Sequence, residues 1–158
     1  MKAKEGVLEF LNKILTAELT AVHQYIAHAA MCDNWGYDRL HHEIHERALE
    51  EVKHAEGIVE HILYLEGAPE MQRLGNVNIG QTVQDQFKND LKLEMDDLAL
   101  LREAITHCAK VGDYTTRHKL EDMSVDTDEH IDWLETQIET IKQVGLENYL
   151  SEQIKKGS

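Results

Sequence analysis

The sequence predicts an all-α fold: a four-helix bundle made of two helical hairpins, with a short fifth helix at its end. Three observations predict it. The 158-residue chain has one proline, few aromatics and abundant Ala, Leu, Glu and Lys, a composition that favours helix throughout. Four long stretches carry apolar residues at spacings that alternate between three and four, the stripe of a helix facing a core. Breaks at Gly36, Gly112 and Gly145, and a longer one from Gly67 to Gly80, separate them.

The first helix is expected over about residues 4–34. Its seam reads Val7, Leu11, Ile14, Glu18, Val22, Tyr25 and Ala29, and Asn34-Trp35-Gly36 ends it with a glycine suited to a left-handed position. Asp38 is expected to cap the second helix, over about 39–66, with a seam of Leu40, Ile44, Ala48, Glu51, Ala55, Ile58, Ile62 and Leu65. Gly67-Ala68-Pro69 stops it. The 14 residues from Gly67 to Gly80 can cover about 46 Å, close to the ~42 Å of a 28-residue helix. This connection can therefore run the length of the bundle, so the next helix need not start where the last one ended.

Thr82 and Asp85 form a capping box with Asp in the usual Glu place, opening a third helix over about 82–111. Its seam is Phe87, Leu91, Glu94, Leu98, Leu101, Ile105 and Cys108. Gly112-Asp113 turns the chain into a fourth helix, about 114–144, with Leu120, Met123, Thr127, His130, Leu134 and Ile141 on one face. Gly145 closes it, and residues 147–155 are expected to add the short fifth helix. The whole chain, 1–158, is expected to be one domain.

The formal net charge of −14 argues against nucleic acid and anionic membrane surfaces as partners and suits a protein that attracts cations. No apolar run approaches the ~18 residues of a membrane span. Met1-Lys2-Ala3-Lys4-Glu5-Gly6 lacks the apolar segment of a signal peptide. Cys32 and Cys108 make neither a disulfide framework nor a CxxC pair, so a reducing cytoplasm is the expected location.

The chemistry lies in the interruptions of the seams. Glu51 and His54 are the chain's one Glu-x-x-His, and on a helix both leave the same face one turn apart, able to share a metal ion. Glu18 lies 18 residues before Gly36 and His54 lies 18 after it; Glu94 and His130 flank Gly112 in the same way. The two hairpins thus repeat with an offset of 76, which also relates Cys32 to Cys108. Residues equidistant from an antiparallel turn share a depth, here about 27 Å down. Glu18 and His54 should be neighbours, as should Glu94 and His130. Burying isolated carboxylates is costly, and a shared divalent cation removes that cost.

Three glutamates and two histidines at one depth on four helices match the ligand set of ferritin-like di-iron carboxylate bundles. The chain resembles bacterioferritin along its length, through Leu11-Asn12-Lys13, Glu18-Leu19, Gln24-Tyr25, Asn34-Trp35-Gly36, Lys53-His54-Ala55, Leu65-Glu66-Gly67, Asn78-Ile79-Gly80, Leu101-Arg102-Glu103-Ala104-Ile105, His130-Ile131-Asp132-Trp133-Leu134 and Asn148-Tyr149-Leu150. The resemblance implies a ferritin-like fold, a hollow 24-subunit shell that stores iron, and oxidation of Fe2+ by O2 or H2O2 at a di-iron centre within each subunit. It implies Glu18 and His54 as terminal ligands of one iron, Glu94 and His130 of the other, Glu51 bridging, and Tyr25 beside them. It also implies haem held between two subunits by a methionine from each.

Two positions depart from that pattern. The repeat predicts a partner for Glu51 at position 127, where the resemblance expects a second bridging glutamate and the chain has Thr127. Asp126 and Asp128 are candidate substitutes, although each is about 100° around the helix from 127 and surface charge is the plainer reading. Val52 stands where the haem methionine is expected, so haem by that route is closed; Met31 offers another sulfur but reads as a packing residue. His41, His42, His45 and His61 are expected at the surface, with weak metal stations on a route into the shell as the alternative. The leading function is iron storage with ferroxidase activity. The alternatives are a non-catalytic or single-metal shell subunit, working beside a second subunit type, and a rubrerythrin-like di-metal peroxidase.

Overall fold

The computed structural model describes residues 1–157. Five helices follow one another: α1 (Val7–Asn34), α2 (Asp38–Tyr64), α3 (Val83–Val111), α4 (Tyr114–Val144) and α5 (Leu146–Gln153). α1 packs along α2, α3 along α4, and the two hairpins meet mainly through α1 and α3, while α5 closes one end against α4 and α2. None of the helices is long and apolar enough to cross a membrane.

The ends differ from expectation where the backbone turns left-handed. α1 starts at Val7, not Lys4, because Gly6 has φ +77°, and a Cβ there would lie 2.6 Å from Nε2 of His107. Glycine takes that left-handed backbone without strain. Asp38 is the first residue of α2 and not its cap; its carboxylate instead accepts the Gly157 N–H at 2.8 Å, tying the C-terminal segment to the bundle. α2 stops at Tyr64, two residues early, as Glu66 takes φ 61° and the Gly67 N–H returns to the Ile62 carbonyl at 2.9 Å. α3 begins as read, with the Thr82 hydroxyl accepting the Asp85 N–H at 3.1 Å.

The core divides into two apolar clusters. One gathers Leu11, Ile14, Leu15, Ile58, Ile62, Leu101, Cys108 and Leu120; the other gathers Tyr25, Ala29, Cys32, Leu40, Ile44, Phe87, Leu134 and Tyr149. On every long helix polar residues are buried between them: Glu18 on α1, Arg47 and Glu51 on α2, Glu94 and Asp97 on α3, Thr127 on α4. The bundle is thus interrupted at mid-height by a charged layer. Cys32 and Cys108, both free, fall in different clusters.

The connection from α2 to α3 does run along α1, held by side chains one or two turns apart. Asn12 Oδ1 accepts the Glu70 N–H at 2.9 Å, Thr20 Oγ1 that of Gly75 at 2.8 Å, Gln24 Oε1 that of Asn78 at 3.1 Å, and His28 Nε2 that of Gly80 at 3.0 Å. These bonds satisfy backbone donors that lie against a helix rather than water. Because His28 Nε2 accepts, its proton is on Nδ1, which donates to Asp90 Oδ1 at 2.9 Å. Gln24 Nε2 donates to the same oxygen at 2.8 Å, so Asp90 on α3 orients two of the four groups that fix the crossover.

Candidate metal centre

The charged layer brings together three of the five expected ligands. Glu18, Glu51 and His54 offer ligand atoms that all lie within 4.8 Å of one another. His54 Nδ1 is 3.4 Å from Glu18 Oε2 and 3.7 Å from Glu51 Oε2. Both oxygens of Glu18 and Nδ1 of His54 are buried without a hydrogen-bond partner. Unsatisfied acceptors at this depth need a cation or a proton, and a carboxylate pair with one imidazole nitrogen is a donor set for a divalent ion. The residues therefore fit a metal.

Glu94 and His130 stand apart from that trio, joined to each other through Tyr25. The Tyr25 hydroxyl donates to Glu94 Oε1, and its ring meets His130 edge-on at 5.5 Å. His130 also stacks on Trp133, with centroids 5.8 Å apart. Burial, reinforced by the charge of Arg47, lowers the His130 pKa to about 3. Its ring is neutral, and Nε2 is buried and unpartnered.

Arg47 separates the two groups, and the seam reading missed it. Its Nη2 is 2.7 Å from Glu51 Oε1 and 3.6 Å from Glu94 Oε2, while Nη1 is 3.0 Å from Glu50 Oε2. Neither Nη2 nor Glu51 Oε1 makes an aligned hydrogen bond, so the contact is close charge pairing without good donor geometry. A guanidinium thus lies across the bridging carboxylate and the carboxylate expected on a second metal. The signal was present: Arg47 is one turn before Glu51, an i,i+4 pair at the depth where position 127 lacks its glutamate.

Asp97 is the second missed residue, one turn after Glu94 on α3 and buried. Its charge acts on Glu18, and its Oδ1 has no partner. Burial raises Glu18, Glu94 and Asp97 above the usual carboxylate range, with the charge of Glu51 adding to each. Burial acts on Glu51 in the same direction, but the closeness of Glu18 and His54 and the Arg47 charge hold it low and ionised.

Asp126, a candidate substitute ligand, has a different place. Its Oδ2 is 2.9 Å from His54 Nε2, on the far side of the ring from Glu18 and Glu51. That contact puts the proton on Nε2 and leaves the Nδ1 lone pair facing the carboxylates, the arrangement usual behind a metal-binding histidine. Asp128 is exposed and takes no part in the cluster. Thr127 is buried, but its hydroxyl donates to the Met123 carbonyl at 3.0 Å.

A family model for the ferritin-like domain matches residues 8–144. The bacterioferritin of Mycobacterium bovis is 43% identical over 149 residues, covering 94% of each chain. Those of Mycobacterium leprae and Brucella melitensis are 40% and 38% identical, covering 94% of this chain and 94% and 92% of their own. The chain belongs to the bacterioferritin family.

At the position where a bacterioferritin haem methionine was expected, Val52 lines an apolar cavity of about 350 Å³ with Leu19, Val22, Ala55, Val59 and Met71. Met31 is remote from it in contacts, its sulfur accepting from Gln86 Nε2 at 3.7 Å. Two of the histidines expected at the surface are not free. His41 Nδ1 lies 3.0 Å from the Ala29 carbonyl, and His61 is buried, with Nε2 2.7 Å from Thr116 Oγ1. The Thr116 hydroxyl donates to Asp113 Oδ2 at 2.6 Å, so it accepts from His61, which is neutral with its proton on Nε2.

Proposed function

We propose that this bacterioferritin-family chain builds a hollow iron-storing shell of 24 copies in the cytoplasm, and that each subunit takes up one Fe2+ between Glu18, Glu51 and His54. The observation that carries the reading is Arg47, which spans Glu51 and Glu94 where a second ion would be held. Charge supports it. Among the ligands expected of the family, the glutamates Glu18, Glu51 and Glu94 match one dication and one guanidinium, with no carboxylate left to offset a second dication. Two dications without the carboxylate missing at Thr127 would leave their mutual repulsion, severe at ~4 Å, poorly offset.

In this reading the subunit is a slow ferroxidase. Four Fe2+ ions oxidised in turn at the single position would reduce one O2 to two waters, or two would reduce one H2O2 to two waters, with one proton consumed per electron, and the ferric product passes to the mineral. Glu18 and Glu51 supply the anionic oxygens that favour the higher oxidation state. Asp126 keeps His54 in the tautomer whose Nδ1 can bind. Carboxylates and an imidazole hold the ion at the middle of the bundle, away from bulk water.

A second reading is a two-iron centre in which Arg47 swings away on loading. It is favoured by His130, whose neutral, unpartnered Nε2 is a ready ligand beside Glu94. Haem enters neither reading through Val52; a mixed shell with a methionine-bearing second subunit type is the remaining route. The test is aerobic loading of the assembled protein with Fe2+, followed by electron microscopy and iron assay. Ferric cores inside shells, formed more slowly in Glu51→Ala than in the parent, support the proposal. Shells that take up iron equally well without Glu51 would remove the centre from the process.

A further inference from the structure

A buried aspartate without a cationic hydrogen-bond partner is costly, and Asp97 is one. It is 6% exposed and its Oδ1 is unpartnered, and both oxygens of Glu18, the buried carboxylate whose titration its charge perturbs, are unpartnered as well. Arg47, the one buried guanidinium of the layer, is committed to Glu50, Glu51 and Glu94. Nothing in the sequence repeat calls for an acid at this position: the residue offset by 76 from Asp97 is Ala21. Resting on the one-ion reading, we propose that Asp97 is a fourth ligand of the cation held by Glu18, Glu51 and His54, giving a site of three carboxylates and one imidazole.

The placement of Asp97 also gives that site an entrance. It lines a cavity of about 420 Å³ bounded by α1, α3 and the crossover, whose walls include Thr16, Thr20, Asn78 and Asp96. The two lysines there are already engaged, Lys92 with Asp96 at 2.9 Å and Lys13 over the Phe10 ring at 5.6 Å. On the opposite side, His54 lines a separate cavity of about 190 Å³ between α2 and α4. Asp97 is therefore the ligand that an ion arriving past the crossover meets first. With it the layer holds four carboxylates against one guanidinium, a net charge that matches a trivalent ion and so favours the oxidised product over the reduced substrate.

The test uses Zn2+, which is redox-inert and takes the same donors, titrated calorimetrically into the assembled, metal-free protein. The parent should bind about one Zn2+ per chain. Asp97→Asn, which keeps the side-chain shape and removes a buried charge, should keep that stoichiometry but weaken binding at least ~10-fold. Asp97→Ala should do the same, while Asp96→Asn in the same cavity wall should change affinity less than twofold. In Zn2+-soaked parent crystals an Asp97 oxygen should stand ~2.0–2.2 Å from the ion. Parent-like affinity in both Asp97 variants, with Glu51→Ala abolishing binding, would overturn the role of Asp97 alone. Equal losses in Asp96→Asn and Asp97→Asn would reduce it to a field effect and overturn ligation. A parent that binds no Zn2+ at this layer would overturn the one-ion site together with this inference.

Discussion

His54 Nε2 and Asp126 Oδ2 are 2.9 Å apart, and this contact decides which nitrogen of His54 faces Glu18 and Glu51. Burial acts to lower the His54 pKa, but the Glu51 carboxylate facing Nδ1 and the hydrogen bond to Asp126 outweigh it and raise the pKa overall. The half-exposed aspartate thus matters to the buried site through the imidazole rather than as a ligand.

Asp126→Asn should keep the fold and weaken divalent-ion binding about 10- to 100-fold, the usual cost of losing the carboxylate behind a metal-bound histidine. Calorimetry with Zn2+ checks this. Asp128→Asn, at an exposed neighbour, should leave affinity unchanged.

Arg47 should control how many ions the layer holds. Arg47→Met leaves Glu51 and Glu94 without their counter-charge and should cost the metal-free protein about 3–5 kcal/mol, a loss that Zn2+ restores. Thr127→Glu alone should still bind one ion per chain, because the Arg47 Nη1 already lies 3.4 Å from the Asp126 carbonyl and the new carboxylate pairs with the guanidinium. Thr127→Glu combined with Arg47→Met should bind two. Metal analysis of the three variants separates these outcomes.

His61 should make the fold sensitive to mild acid. Burial and the nearby Lys119 lower its pKa below the unfolded value, which is about 6.5. The unfolded chain therefore takes the proton first. The stability is full above pH ~6.5 and declines as pH falls toward the folded-state pKa. Denaturation midpoints measured from pH 7 to about 5 should fall less steeply in His61→Gln than in the parent.

Haem should be absent from the homogeneous protein after reconstitution, since Val52 presents methyl groups where a sulfur was expected. Val52→Met should produce the visible spectrum of bis-methionine haem. If the parent already shows that spectrum, Met71, on the same cavity wall, is the sulfur to replace.

Much of this was legible in the sequence because helical periodicity and turn glycines are strong local signals. Counting from Gly36 and Gly112 placed Glu18 beside His54, and the structure puts them 3.4 Å apart. The length of the Gly67–Gly80 connection correctly implied a crossover along the bundle, now seen in its bonds to Asn12, Thr20, Gln24 and His28. Arg47 and Asp97 were missed because each lies a turn from a seam glutamate, where a charged residue reads as solvated. Only tertiary packing shows that the polar layer is wide enough to bury them. The burial of His61 was missed because its partner, Thr116, is 55 residues away. The late start of α1 and the early end of α2 depended on the backbone at Gly6 and Glu66, where contacts rather than propensity set the conformation.

The claim that Arg47 occupies the place of a second ion is tested most directly by anomalous diffraction at the iron edge. Crystals of the parent would be soaked anaerobically in Fe2+ at millimolar concentration. The account predicts one strong peak per subunit, bounded by Glu18, Glu51, His54 and Asp97, with the guanidinium still against Glu51 and Glu94. Two peaks of comparable height, the second between Glu94 and His130 with Arg47 turned out of the layer, would contradict it.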